Sequence, residues 1–219
     1  AGSMVAALYA SGRTPTEMEQ IAMTLDESSI TDWVFPGRSL MKGEALAKFV
    51  REKTGGKIIE QMRIPLGIVA ADLNSGESIL FRRGDAGVAV RASSAVPAVF
   101  QPVKIGGREY VDGGLVSPIP VRYAQQMGAD VVIAVDISAI PQGQPTQSSM
   151  QILLQTFNIM GHSISQHELQ DADVVVRPKL SGIGSADFSN RRLSVLAGRE
   201  ATYAVLDTLR QRLTAARNR

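Results

Sequence analysis

The sequence predicts an α/β domain in which a mainly parallel central sheet is covered by helices on both faces. Three apolar runs carry this expectation: Leu66-Gly67-Ile68-Val69-Ala70-Ala71, Val131-Val132-Ile133-Ala134-Val135-Asp136 and Val174-Val175-Val176-Arg177. Unbroken hydrophobicity of this kind belongs to strands buried on both faces, whereas half-exposed strands alternate. Segments with apolar residues at helical spacing separate the runs, as the layered architecture requires. With 219 residues, 44% hydrophobic and 20% charged, the chain can bury one sizeable core, and its composition excludes a disordered, collagen-like or coiled-coil protein. A single domain over 1–219 is expected.

The first segment, Ala1 to Gly12, is small and apolar with a glycine stop, and reads as a buried helix. Thr14-Pro15-Thr16-Glu17 then combines an N-cap, a first-turn proline and an acid three residues on, ahead of Met18, Ile21, Ala22 and Leu25 at helical spacing. Gly43 to Lys53 forms a further helix with Leu46, Phe49 and Val50 on one face, ended by Gly55-Gly56. After the first apolar run, Asp72 to Gly76 turns the chain and Glu77 to Phe81 reads as a hairpin partner. Val88 to Ala95 is a short helix, and Val103 to Val111 a second hairpin around Gly106-Gly107. A helix from Pro120 to Met127 ends at Gly128.

Ile137 to His167 contains no Asp, Glu, Lys or Arg. From Ser149 onward Met150, Leu153, Leu154, Phe157, Met160 and Ile164 recur every three or four residues, so this part reads as an amphipathic helix with an amide and hydroxyl polar face. That apolar face either packs against the sheet or meets lipid. Leu193 to Arg217 reads as one long final helix. From Arg191 to Arg219 seven arginines face only Glu200 and Asp207, so a chain of net charge +2 concentrates its positive charge at this end. Such a helix suits an anionic surface as well as a solvated face.

The small net charge gives no support to nucleic-acid binding. The chain has no cysteine, which excludes disulfides, thiolate metal sites and a cysteine nucleophile within it. No Gly-x-Gly-x-x-Gly follows a predicted strand, which argues against a Rossmann-like nucleotide site. The strongest chemical signal is Val111-Asp112-Gly113-Gly114-Leu115, an acid at a strand end followed by two glycines. Glycines there permit positive φ or close backbone approach. Asp112 then serves either as a turn cap or as a base, and the second role needs partial desolvation to lift its proton affinity.

Several segments together resemble the patatin-like phospholipase family, in its bacterial branch related to neuropathy target esterase. Ala1 to Gly12 is similar to the stretch directly after the family's nucleophilic serine, with Ala1 and Gly2 as the last two residues of its Gly-x-Ser-x-Gly elbow. Arg91-Ala92-Ser93-Ser94-Ala95-Val96-Pro97-Ala98-Val99-Phe100-Gln101-Pro102 resembles the segment leading into the family's acid motif, and Tyr110 to Val121 the motif itself. The likeness runs through Gly128-Ala129-Asp130 to Asp136, and more loosely to Pro178-Lys179-Leu180 and Asp187-Phe188. It implies a three-layer patatin-like fold and hydrolysis of phospholipid or other lipid esters by a Ser-Asp dyad. Asp112 is then the general base, Gly113 and Gly114 the acid-motif glycines, and no cofactor or metal takes part. The uncharged amphipathic helix and the basic C-terminal helix add an expectation of peripheral membrane contact, and the small net charge one of no nucleic-acid partner. The elbow serine is expected immediately upstream of Ala1, in a longer protein; Ser3 lacks the elbow pattern and is not the nucleophile. Without that serine, the same scaffold implies a non-catalytic lipid-binding or regulatory module. His162 and His167 match no catalytic position and are expected to be structural or solvent-facing.

Overall fold

The computed structural model describes residues 2–34, 39–180, 183 and 188–218, and the chain forms two compact units, Ala1–Val116 and Ser117–Arg219. Ala1, named above as part of the elbow, and Asp187 lie outside the described residues.

The first unit opens with α1 (Gly2–Ala10), which buries Ala7, Leu8 and Ala10 and leaves Val5 and Tyr9 exposed. It stops at Gly12, whose φ of +101° lets the chain leave the helix. Helix α2 (Pro15–Thr24) begins with a complete capping box: Glu17 N–H donates to Thr14 Oγ1 (3.2 Å) and Thr14 N–H to Glu17 Oε2 (2.7 Å). Helix α3 (Glu44–Lys53) buries Leu46, Ala47, Phe49 and Val50. Its orphan N–H groups find a distant partner, because the Asp32 carboxylate accepts from Gly43, Glu44 and Ala45 at 2.6, 2.7 and 3.1 Å. Helix α4 (Ala86–Ser93) is capped by Asp85, which accepts from Val88 N–H. It crosses α3 so closely that a Cβ on Gly87 would stand 2.4 Å from the Ala47 carbonyl oxygen. Ala86 and Ala89 of α4, with Leu46, Val50, Val90, Leu66 and Ile68, belong to the first core cluster.

Strands β1 (Ile68–Asp72), β2 (Ser78–Phe81), β3 (Val103–Ile105) and β4 (Arg108–Asp112) form one sheet in the order β2-β1-β4-β3. All five residues of β1 are buried. Both hairpins stand where the sequence places them. The second turns on Gly106 and Gly107, at φ +57° and +81°, the pair of left-handed conformations that a two-residue turn needs to match strand twist. Every pairing in this sheet is antiparallel, including β1 with β4, where Ala70 lies opposite Asp112. The expected mainly parallel sheet is therefore corrected. Buried strands read as continuous apolar runs whatever their direction, and the short β1–β2 and β3–β4 turns cannot provide the dozen or so residues that a parallel crossover needs. Tyr110 and Phe81 meet edge to face with centroids 5.3 Å apart, beside Ala70, Ala92, Ala95 and Val103.

In the second unit, β5 (Ile133–Val135) and β6 (Val174–Val176) pair in parallel, the chain between them includes α6 (Ser149–Glu168), and β5, expected to be buried on both faces, leaves Ile133 and Val135 exposed. Helix α5 (Val121–Gln126) precedes them, and Ile119, Val121, Val132, Ala134 and Leu169 form this unit's core. Ser148 and Gln151 make a second capping box at the start of α6. Its expected apolar face is only partly the covered one: Leu154, Phe157 and Ile164 are half-buried, while Leu153 and Met160 are exposed together with Ile152 and Ile159. The single final helix expected from the sequence is two, α7 (Arg191–Ala204) and α8 (Leu206–Arg217), separated at Val205 with φ −109° and ψ 6°. No described helix is long and apolar enough to cross a membrane.

Candidate active site

The site is built on the end of β4. Register with β1 carries the backbone of Asp112 into the sheet, and its N–H donates to the Ala95 carbonyl at 3.0 Å, so the residue is held from both sides. The chain then tightens into a 3₁₀ turn, Gly113–Leu115, in which Gly114 N–H donates to Asp112 Oδ1 at 2.7 Å. Among the described residues Asp112 Oδ2 accepts no hydrogen bond. One carboxylate oxygen is thus anchored and the other is left to take a proton.

The two glycines have separate reasons. Gly113 is buried under β1, and a Cβ there would lie 2.3 Å from the Val69 carbonyl oxygen and 2.8 Å from its carbon. At Gly114 a Cβ would stand 3.0 Å from Asp112 Oδ1 and crowd the anchored oxygen. Neither adopts the positive φ that glycines in this motif permit; close approach is what requires them.

Among the described residues Asp72 and Asp112 end strands and Asp136 directly follows one, and their electrostatics diverge. Asp72, buried at the end of β1, is held below the usual carboxylate value by the N–H groups of Ser75 and Asn74, with help from Arg108 at 3.1 Å. At Asp136 burial pushes upward, but hydrogen bonds from Ser138 and from Arg177 Nε (3.1 Å) outweigh it and hold the carboxyl low. Asp112 moves the other way. Burial raises its proton affinity above the ordinary aspartate value, and the Gly114 N–H, the larger of the opposing influences, only partly offsets this. A carboxylate with raised proton affinity and an open oxygen is equipped for general-base work, while its Oδ1 contact shows that it also caps the turn.

The segment 91–102, whose Ala95 carbonyl accepts from Asp112 N–H, is itself tied to residues 40–44. Arg91 Nε donates to the Lys42 carbonyl and its guanidinium pairs with Glu44, while the Val99 carbonyl accepts from Leu40 and Met41 at 3.1 and 2.9 Å. Ala98 within it has φ +69°, a left-handed conformation that costs a residue with a Cβ free energy. Gly2 starts α1 at an exposed position and Ser3 follows half-buried; no hydrogen bond joins either to Asp112. His162 is half-buried and His167 exposed on α6.

Sequence reasoning passed over two carboxylates. Asp32 caps α3, and Glu168 accepts from the buried Ser117 hydroxyl and from Ile119 N–H (3.0 Å), tying the start of the second unit to the end of α6. The partners of Glu168 lie about 50 residues away, so no local spacing marks them. Among the described residues no group of three or more His, Cys, Asp or Glu side chains is placed to hold a metal ion.

Comparison with known proteins returns one consistent result. Residues 1–124 match the family described as patatin-like phospholipase. An uncharacterized NTE family protein of Mycobacterium tuberculosis is 32% identical over 167 residues, covering 75% of this chain and 46% of that protein. A second such protein of the same species is 28% identical over 211 residues, covering 81% and 35% respectively. Patatin-like phospholipase domain-containing protein 6 of Mus musculus is 28% identical over 146 residues, covering 63% of this chain and 11% of that protein. The chain spans less than half the length of these curated relatives.

Proposed function

Because this chain belongs to the patatin-like phospholipase family, we propose that residues 1–219 are the larger part of one lipid acyl hydrolase domain that cleaves phospholipid or related lipid esters with a Ser-Asp dyad. Asp112 is the general base, and the nucleophilic serine stands immediately upstream of Ala1 in the whole protein. The observation that carries this reading is the state of Asp112: partly buried, anchored through Oδ1 alone, with its proton affinity lifted.

The serine hydroxyl attacks the ester carbonyl carbon while its proton passes to Asp112 Oδ2. Collapse of the tetrahedral intermediate breaks the bond to the leaving alcohol, which takes that proton back from Asp112 and departs, leaving an acyl-serine. Water then attacks the acyl-serine, Asp112 accepts its proton, and the proton returns to the serine as the fatty acid leaves. No histidine mediates either transfer. Gly114 N–H keeps the carboxylate oriented throughout, and Gly113 lets the turn sit against β1.

The test is Asp112→Asn in the whole protein, assayed with a short-chain p-nitrophenyl ester. Turnover is abolished while circular dichroism is unchanged; near-normal turnover overturns the dyad. A fluorophosphonate probe labels the serine directly before Ala1, and labelling at Ser3 overturns that assignment. A whole protein that binds lipid but neither hydrolyses ester nor takes the probe is a non-catalytic module.

A further inference from the structure

Helices α7 and α8 bury none of their residues and carry no side-chain cap. Helices of about 12–15 residues are marginal in water unless one face packs against something. Their exposed surface has a definite chemistry. Along α7, Arg192, Leu196, Arg199 and Tyr203 follow at steps of four, three and four residues, so they lie on one face, and all four are exposed. Along α8, Arg210, Leu213 and Arg217 repeat the pattern at steps of three and four, again all exposed. Leu196 and Tyr203 are 41% and 68% exposed, and Leu193, beside them, 56%. From 191 to 218 six arginines stand against Glu200 and Asp207. Arg192, Arg212 and Arg217 have no ion-pair partner among the described residues.

We infer that the exposed arginine and leucine stripes of α7 and α8 are a docking surface for an anionic phospholipid bilayer. Charge complementarity selects this occupant. Guanidinium groups spaced along a helix meet lipid phosphates, and the leucines and tyrosine between them enter the boundary between headgroups and acyl chains. The inference is independent of the acyl-ester chemistry proposed above, since it concerns binding and leaves Asp112 untouched.

The experiment uses the whole protein and vesicles of 70:30 phosphatidylcholine and phosphatidylglycerol, with sedimentation as the readout. Each arginine near an anionic surface adds roughly a fivefold gain in partitioning, so Arg192→Gln with Arg217→Gln lowers binding by about 25-fold. Pure phosphatidylcholine vesicles, or high salt, have a similar effect. Turnover of a soluble short-chain ester by the same variant stays unchanged, which separates failure of docking from failure of hydrolysis. A Leu196→Cys variant, labelled with an environment-sensitive dye, shifts to the blue when anionic vesicles are added. Absence of binding, or binding indifferent to lipid charge and to the arginine substitutions, overturns the inference. So does a dye already buried without vesicles, which shows another part of the protein on this face, or lipid-free dimerisation weakened by the same variants.

Discussion

Gly113→Ala is the sharpest test of how the acid turn is built. The new Cβ would fall 2.3 Å from the Val69 carbonyl oxygen, where ordinary contact begins at 3.4 Å, so something must move by about 1 Å. The neighbour is not a flexible side-chain tip. The obstructing carbonyl belongs to the backbone of Val69, the second residue of β1, paired on one side with Leu80 of β2, and the strand is buried along its whole length. Overpacking against such a partner costs about 3 kcal/mol, the upper end of the usual range. Gly106→Ala serves as the comparison, because its Cβ meets nothing within 4 Å and only its φ of +57° opposes the change; that strain alone costs about 1 kcal/mol. Urea unfolding of the two variants should therefore differ by about 2 kcal/mol, with Gly113→Ala the less stable. A displacement of about 1 Å at Asp112 further predicts roughly a hundredfold loss of ester turnover in the folded fraction. Equal unfolding midpoints for wild type and Gly113→Ala would refute the close-approach explanation.

Asp112→Asn, beyond its effect on turnover, should raise stability at neutral pH. The native proton affinity of Asp112 lies above its unfolded value, so the folded state holds the proton more tightly between the two. The stability this confers is complete below the unfolded value and is lost as pH rises through the native one, and a neutral asparagine escapes that loss. Denaturant midpoints at pH 4 and pH 8 check the sign: the advantage of the variant grows with pH, and a constant or reversed difference refutes it. The acid limb of the wild-type turnover profile should likewise lie above the ordinary aspartate range. Glu168→Ala strands the buried Ser117 hydroxyl and Ile119 N–H, at a cost of about 1–3 kcal/mol measurable by urea unfolding. Ala98→Gly removes a Cβ from a left-handed position and should gain about 0.5–1 kcal/mol after glycine's greater unfolded-state entropy is deducted; a lower midpoint would contradict the strain.

Features that depend on neighbouring residues were legible in the sequence. The Thr14–Glu17 capping box, the Gly106-Gly107 hairpin and the acid at the end of β4 all appear where their residue types predict them, because caps and tight turns are closed within a few residues. The apolar run at 66–71 correctly announced a strand buried along its length. It did not reveal the strand's direction, since hydrophobicity reports burial and direction depends on how each connection returns. The α6 periodicity likewise predicted a helix correctly but misplaced part of its covered face, leaving Leu153 and Met160 exposed.

The sequence by itself determined the family, both hairpins and all but the last of the helices, and it singled out Asp112 as the residue to question. Only the tertiary structure distinguished Asp112 from Asp72 and Asp136, three aspartates in the same strand-end setting. Their proton affinities depend on which donors reach them, and Arg108 and Arg177 come from 36 and 41 residues away. It also decided why Gly113 must be glycine, because the obstructing carbonyl belongs to Val69, in a strand that the chain left about 40 residues earlier. Short-range rules act through bonded neighbours; desolvation and steric exclusion act through space, and need the fold to bring their partners together.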